Sequence, residues 1–236
     1  MWVTKGQKNY SETDESGQFW RSTMLDMDTR LRVGRGIAKT ETEASIIVFE
    51  ILKKRGHPDH PPPTISDGWG GIREAMVEVY GTVPPYCGRG RPPTRKQSGE
   101  DWQYLQMVKV RDEKGHLLAI EHRVIFGDAD AVLTLLGGST AYIERTHLTM
   151  RHFNARLTRK SLAFSKKLSI HRAAAALEDA IYNLVRPLKT LRQELFDVPH
   201  QRWQPRTPAM AAGLTDSIWT VKELFTIIPL PTAINT

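Results

Sequence analysis

The order of predicted strands and helices in the first third of the chain constrains the fold more than any other feature. Short segments of alternating apolar residues predict strands, and apolar residues at helical spacing predict helices. In chain order these elements are strands at Met1–Thr4, Phe19–Leu25 and Arg30–Ile37, a helix at Thr40–Arg55, a strand at Thr64–Ser66 and a helix at Ile72–Tyr80. Hairpin strands followed by alternating helix and strand predict an α/β fold in which helices cover a mixed sheet.

The middle of the chain, from about residue 81 to 138, interrupts this alternation. Val83–Gly99 is rich in proline, glycine and arginine and predicts an extended loop. Trp102–Arg111 and Leu117–Phe126 flank a short turn and predict a β-hairpin, and Asp128–Leu136 predicts a short helix. We therefore expect an insertion that consists of an Arg-rich loop and a hairpin.

The last third of the chain is predicted to be helical and to end in a proline-rich tail. Ala141–Leu157 and Leu168–Leu195 have helical periodicity, and Pro187 is expected to kink or divide the second helix. In the tail, Asp216–Phe225 predicts one short helix. The expected organisation is one domain at 1–196 and a tail at 197–236.

Positive charge dominates the composition. The chain has 33 Lys and Arg residues against 26 Asp and Glu residues, which gives a formal net charge of +7. This balance favours a polyanionic partner such as DNA. Two basic clusters are candidates for a phosphate-binding surface, although an Arg-rich helix is most often a solvated face. The first cluster consists of Arg89, Arg91, Arg95 and Lys96, and the second of Arg145, Arg151, Arg156, Arg159 and Lys160.

Cysteine content and hydropathy exclude several classes of protein. Cys87 is the only cysteine, so one chain forms neither a disulfide framework nor a cysteine-based zinc site. No apolar run approaches the length of about 20 residues that spans a bilayer, and the N-terminus lacks the apolar segment of a signal peptide. We expect no membrane association and a protein of the reducing cytosol.

Asp67 is the first candidate for a residue that carries chemistry. It stands where a short predicted strand gives way to a glycine-rich turn. In open α/β sheets, ligands bind at the carboxyl ends of strands, and a carboxylate there can coordinate a metal ion. The alternative is that Asp67-Gly68 is ordinary turn chemistry, and the pattern alone favours this alternative.

Glu144 is the second candidate because it is the one acid in a strongly basic segment, Ser139–Lys167. It falls in the first turn of a predicted helix, where a negative charge complements the helix dipole. His147 and Arg151 lie three and seven residues further on and share its face of the helix. Glu144 is therefore either a helix-dipole residue or a metal ligand that acts with Asp67.

Several short motifs follow one another along the chain in an order that is typical of one known family. They are Trp20 before Asp26, Lys39-Thr40-Glu41, Ser66-Asp67-Gly68-Trp69, Ile143-Glu144-Arg145, Arg156-Leu157, Arg159-Lys160-Ser161-Leu162, Phe164-Ser165-Lys166 and Tyr182-Asn183. The chain resembles the bacterial insertion-sequence transposases of the DDE type, and most closely those of the smallest insertion sequences. The similarity spans roughly residues 1–192 and is most specific over Glu144–Lys166.

The resemblance implies an RNase H-like fold, in which helices flank a five-stranded mixed sheet. Three carboxylates in that fold hold two divalent ions, Mg²⁺ or Mn²⁺, for DNA strand cleavage and strand transfer. Asp67 matches the second acid and Glu144 the third. The implied partners are double-stranded DNA, at the element ends and at the target, and further copies of the chain.

The first acid of the family has no direct match. Met1-Trp2-Val3 resembles the middle of the strand that carries this acid, so the acid would fall before Met1. Asp26, beside the second predicted strand, is the nearest substitute. We therefore expect a transposase catalytic domain that is weakly active or inactive alone. The alternative is a DNA-binding remnant that inhibits full-length transposase by assembling with it.

Overall fold

The computed structural model describes residues 2–3, 17–88, 90–136, 140–158, 162–196 and 202–226 of the 236-residue chain. Its strands are β1 (Trp2–Val3), β2 (Gly17–Gln18), β3 (Trp20–Leu25), β4 (Arg32–Ala38), β5 (Thr64–Asp67), β6 (Tyr104–Arg111), β7 (Leu117–Phe126), β8 (Gln193–Glu194) and β9 (Trp203–Gln204). Its α-helices are α1 (Glu41–Arg55), α2 (Gly71–Tyr80), α3 (Ala129–Leu136), α4 (Ala141–Phe153), α5 (Leu168–Ala180), α6 (Pro208–Ala211) and α7 (Val221–Thr226). The predicted mixed α/β architecture is confirmed.

The antiparallel hairpin of β3 and β4 is packed between two helices. Because alternate residues of a strand face opposite sides, each strand offers one face to α1 and the other to α5. On the first side glycine permits close approach: a Cβ atom at Gly36 would lie 1.8 Å from the carbonyl oxygen of Ala44 on α1. The second side packs on α5 through a buried apolar cluster of Phe19, Ile37, Leu168 and Ala175.

Local sequence explains where α1 begins and ends. The Thr40 hydroxyl accepts a hydrogen bond from the backbone N–H of Glu43, and the Glu43 carboxylate accepts one from the backbone N–H of Thr40. This capping box satisfies two donors that the first turn leaves free. Lys53, Lys54 and Arg55 lie in the last turn, where cations complement the helix dipole, and Gly56 caps the C-terminus.

A three-stranded mixed sheet positions the candidate site. In this sheet β5 runs parallel to β6, and β7 runs antiparallel to β6. One face packs on α1 and α2 around the buried Tyr104, and the other packs on α3 around the buried Leu105. Asp67 is in register with Met107. Since Met107 follows Leu105 by two residues, Asp67 lies on the α3 side of the sheet.

Two helices end earlier than their periodicity predicts. α4 ends at Phe153. Asn154 then has an extended backbone conformation and precedes a short 3₁₀ turn at Ala155–Leu157. α5 passes into a π-helical turn at Ile181–Val185 and stops before Pro187, which has no N–H to donate to a helix. The prediction that Pro187 divides this segment is confirmed, but the α-helix expected over residues 188–195 is not present.

The tail contains more regular structure than the sequence predicts. Its strand β9 pairs with β8, which joins the tail to the preceding segment. α6 was not predicted; it begins at Pro208, and the Thr207 hydroxyl caps it by accepting a hydrogen bond from the Met210 N–H. α7 begins at Val221, so the helix predicted over Asp216–Phe225 starts later than expected.

A buried cluster of ion pairs attaches α5 to the β3–β4 hairpin. Asp179 accepts hydrogen bonds from Arg21 at 2.7 Å, Arg32 at 3.0 Å and Arg35 at 2.5 Å. Glu178 accepts hydrogen bonds from Arg21 and Arg32, both at 2.8 Å. Charges can be buried in this way only when they are paired. Loss of one partner therefore leaves an unpaired buried charge, which strongly destabilises the fold.

His171 is a second buried titratable group at this junction. It lies on α5 with no exposed surface, and its Nδ1 is 3.1 Å from the Ser165 hydroxyl. Burial, followed by the positive charges of Arg21 and Arg156, lowers the pKa of His171 to about 4. The imidazole is therefore neutral in the folded chain at pH 5, where an ordinary histidine is protonated.

This difference makes the stability of the fold depend on pH. Between pH 6.5 and about 4 the unfolded chain binds more protons at His171 than the folded chain does, so the unfolding free energy falls as the pH is lowered. We expect His171 to contribute a loss of about 2 kcal/mol between pH 7 and pH 5. Urea unfolding at both pH values should show that His171→Gln lacks this loss, whereas the exposed control His152→Gln retains it. Equal pH dependence in all three proteins would contradict the assignment.

Candidate active site

Asp67 ends β5 at the carboxyl edge of the three-stranded sheet. Its side chain is exposed, and its Oδ1 accepts a hydrogen bond of 3.3 Å from the backbone N–H of Trp69. This contact is the turn role that the Asp67-Gly68 sequence allows. The contact uses one carboxylate oxygen, and within the described part of the chain no hydrogen bond reaches the other.

Glu144 lies in the first turn of α4 and is held by a lysine from the sheet. Its Oε1 is 2.5 Å from the Nζ of Lys109 on β6 and accepts a hydrogen bond of 3.2 Å from the Thr140 hydroxyl. The hydrogen bond from Lys109 is the main cause that holds the pKa of Glu144 below its ordinary value. Glu144 is therefore ionised at neutral pH.

The register of β5 and β6 places Asp67 and Glu144 at the same edge of the sheet. Asp67 is in register with Met107, and Lys109 follows Met107 by two residues on the same face of β6. Neighbouring strands are about 5 Å apart, and residues two apart on a strand are about 7 Å apart. Because Lys109 binds Glu144, this acid stands beside the edge at which Asp67 ends its strand.

His147 connects the two acids electrostatically. It lies one helical turn after Glu144 on α4 and is half-buried. Burial lowers the pKa of His147, and nearby arginines lower it further, Arg151 most of all. The negative charge of Asp67 raises this pKa, but it does not reverse the direction of the shift. The charge of Asp67 therefore affects the pKa of His147 less than burial and the nearby arginines do.

Glu41 is an acid near Asp67 that the sequence analysis does not assign to the site. It is the first residue of α1, and burial, followed by the negative charge of Asp67, raises the pKa of Glu41. The sequence does contain a signal for this residue, since Glu41 belongs to the motif Lys39-Thr40-Glu41. However, the helix dipole also accounts for an acid in the first turn of a helix, so the sequence alone does not mark Glu41 as a site residue.

Asp26 lies in the turn between β3 and β4, and its contacts serve that turn. Its Oδ2 accepts hydrogen bonds from the backbone N–H of Thr29, at 3.0 Å, and from the Thr29 hydroxyl. Burial raises the pKa of Asp26, but these hydrogen bonds lower it by more, so the pKa is below its ordinary value. The turn also contains Arg30, which has a φ of 62° and lies over the ring of Tyr142 on α4, 3.4 Å from the ring centroid. A role for Asp26 as a metal ligand stays a prediction.

The candidate DNA-binding residues differ in their surroundings. Four of the candidate residues are exposed: Arg145 and Arg151 on α4, and Arg91 and Arg95 in the loop before β6. Lys96 is engaged with Glu78, whose Oε1 lies 2.7 Å from its Nζ. Arg156 lies beyond the end of α4 and donates a hydrogen bond of 3.3 Å to the Ser165 hydroxyl, so it does not continue a stripe of arginines along that helix. The residues that lie outside the described ranges are Arg89, Arg159 and Lys160.

The described residues offer the type of ligand that the implied metal site requires, but they do not bring together the three carboxylates that the resemblance implies. Asp67 and Glu144 offer the carboxylate oxygens that Mg²⁺ and Mn²⁺ prefer. The ammonium group of Lys109 neutralises one of these carboxylates. No group of three or more His, Cys, Asp and Glu side chains that could hold a metal ion occurs in the part of the chain that the structure describes.

Comparison of the chain with protein-family models, with curated proteins and with solved structures gives no match. The resemblance to transposases therefore depends on the sequence motifs alone. Over the ranges described above, no helix is both long enough and apolar enough to cross a membrane.

Proposed function

We propose that this chain is the catalytic domain of a DDE-type insertion-sequence transposase with an RNase H-like fold, which cleaves DNA and joins the 3′ ends to a target. The observation that carries the proposal is the placement of Asp67 and Glu144 beside the same edge of the three-stranded sheet. The two acids are far apart in the sequence, yet one ends β5 and the other binds Lys109 on the adjacent parallel strand. This carboxyl edge is where open α/β sheets bind their ligands.

In this function Asp67 and Glu144 would hold a divalent ion. When bound, Mg²⁺ supplies Lewis-acid stabilisation of the negative charge that develops on the attacked phosphate. Glu144 is already ionised, because Lys109 keeps its pKa low, so it needs no deprotonation to act as a ligand. Lys109 is exposed beside the same edge and is suited to contact a DNA phosphate.

Exposed arginines on α4 and in the loop before β6 would bind the phosphate backbone. Arg145 and Arg151 lie on α4, the helix that carries Glu144, and Arg91 and Arg95 lie in the loop that precedes β6. Each phosphate that is neutralised releases counterions, so binding of this kind weakens as the salt concentration rises.

A salt titration of DNA binding tests the proposed partner. We expect log K to fall steeply with log salt, and Arg145→Gln/Arg151→Gln to make the slope shallower by about 2. The matched control is Arg202→Gln, because Arg202 is exposed and its guanidinium is paired with Glu194 at 2.9 Å. A flat salt dependence, or equal slopes for the three proteins, would exclude α4 as the DNA-binding surface.

A second candidate function is a DNA-binding remnant that does not join strands. Two observations favour it. Glu144 is paired with Lys109, and the described ranges contain no group of three side chains that could hold a metal ion. The two functions differ in one assay, in which the purified chain is given a labelled DNA end, a target duplex and Mg²⁺. The catalytic domain joins the end to the target, whereas the remnant binds the same DNA and leaves it unjoined.

A further inference from the structure

β7 is an exposed edge strand. Among the described residues it pairs only with β6, and none of them forms a strand on the other side of its backbone. Leu117, Leu118 and Ile120 are 51%, 65% and 44% exposed. The strand contains no proline, and its two charged residues, Glu121 and Arg123, are of opposite sign, so they do not repel a second copy of the strand as a row of like charges would. Such an edge is suited to accept a further strand.

The sequence of β7 is complementary to itself about His122. Residues 119–124 pair with β6 in an uninterrupted register, so this part of the strand is regular. Outward from His122, the flanking pairs are Glu121 and Arg123, Ile120 and Val124, Ala119 and Ile125, and Leu118 and Phe126. If two copies of the strand pair antiparallel with His122 facing His122 at the centre, acid faces base and apolar faces apolar at each of the four flanking pairs.

The charges of β7 are not matched by the strand that it pairs with. The neighbour of Glu121 on β6 is Val108, and the neighbour of Arg123 is Gln106. Glu121 and Arg123 contact each other at 3.1 Å along the strand, and both side chains are more than half exposed. An exposed pair of this kind contributes little to stability, whereas a second copy would place an opposite charge beside each group.

We propose that β7 pairs antiparallel with β7 of a second copy of this chain, centred on His122, so that the two three-stranded sheets form one continuous sheet. Because the same strand contributes to both sides, the interface has two-fold symmetry. Glu121 of each copy faces Arg123 of the other, and Ile120 faces Val124. The pairing involves neither the carboxylates nor the exposed arginines of the candidate active site, so it does not depend on the proposed strand transfer.

A cysteine at position 122 tests where the two-fold axis lies. In this pairing residue 122 faces itself at a Cα separation of about 5 Å, which a disulfide can span. The exposed native cysteine is first replaced, as Cys87→Ser. Under mild oxidation without DNA, we expect Cys87→Ser/His122→Cys to run as a covalent dimer, and Cys87→Ser/Lys114→Cys, in the distant turn of the same hairpin, to remain monomeric. No cross-linking at position 122, or equal cross-linking at both positions, overturns the proposal.

Charge reversal tests the register of the two strands. Glu121→Arg and Arg123→Glu each create two pairs of like charges, and we expect each to weaken dimerisation about tenfold. Glu121→Arg/Arg123→Glu restores opposite charges, so its dimer dissociation constant should return to within about threefold of the wild-type value. The control Glu113→Arg makes the same charge change in the exposed turn and should have no effect.

Sedimentation velocity of the full chain without DNA measures these dissociation constants, and circular dichroism verifies that each variant is folded. Recovery of the dimer in the double variant supports the pairing if circular dichroism shows both single variants to be as folded as the wild type, because the double variant also restores the ion pair between residues 121 and 123 within one strand. A wild-type chain that stays monomeric at every concentration, or a double variant that does not recover, shows that β7 has another partner or none.

Discussion

Replacing Asp67 with asparagine is expected to slow the weak DNA strand joining of this chain by about 1,000-fold or more, to below detection, because a metal site supplies several kcal/mol of transition-state stabilisation. The amide oxygen of asparagine can still accept the hydrogen bond from Trp69, so the turn after β5 is retained while the negative charge is lost. Glu144→Gln should have an effect of similar size, since it removes the second carboxylate that would hold the ion. The measurement is the rate at which a labelled 3′ end is joined to a target duplex in Mg²⁺.

Two exposed acids outside the site provide matched controls. Asp59→Asn and Glu113→Gln remove the same charges from exposed positions, and each should leave the joining rate within about twofold of the wild-type value. Binding of the DNA substrate by every variant is measured in parallel, so that loss of joining is separated from loss of binding. Joining by Asp67→Asn at the wild-type rate, with DNA affinity unchanged, would contradict the role of Asp67.

Asp179→Asn is expected to lower the free energy of unfolding by about 3–5 kcal/mol. The substitution keeps the shape of the side chain. It leaves Arg21 and Arg32 with the single carboxylate of Glu178, and it removes the carboxylate that Arg35 contacts. The side chain of Arg32 is only 1% exposed, so water cannot solvate its guanidinium group in place of the lost carboxylate. Urea unfolding followed by circular dichroism measures the loss.

The matched control for this loss is an exposed ion pair. Glu194 accepts a hydrogen bond of 2.9 Å from Arg202, whose side chain is 73% exposed, and Glu194→Gln should cost no more than about 1 kcal/mol. A large difference between the two substitutions would show that burial, not the number of ion pairs, determines the cost. Equal small losses would mean that the cluster around Asp179 does not anchor α5 to the hairpin.

The elements that depend on local patterns are those that the sequence predicts best. The helix predicted over Thr40–Arg55 is found at Glu41–Arg55, because its apolar spacing, its capping box and its glycine stop all act within a few residues. The hairpin of β6 and β7 is found within two residues of its predicted bounds, since the polar turn Asp112–Gly115 separates two strand-like segments. By contrast, the basic last turn and Asn154 mark the end of α4 at Phe153, but Leu157 and the arginine at 156 extend a helical pattern beyond it that the chain does not follow.

The candidate site could be predicted only in part, because its geometry depends on residues that are distant in the sequence. The motifs select Asp67 and Glu144, but nothing in the sequence distinguishes Lys109 from the other lysines as the residue that binds Glu144. The proximity of Glu41 to Asp67 depends in the same way on how α1 packs beside the sheet. Asp26 shows the opposite case, since its local hydrogen bonds with Thr29 account for its position in the turn.

The central claim is that Asp67 and Glu144 act together at one site, and the joining rate of the double variant tests it most directly. If both residues hold the same ion, either substitution alone removes the site, and Asp67→Asn/Glu144→Gln should join DNA no more slowly than the slower single variant. Independent roles would multiply the two losses. We predict a double variant as slow as the single variants, whereas multiplied losses, or single variants as fast as the wild type, would contradict the shared site.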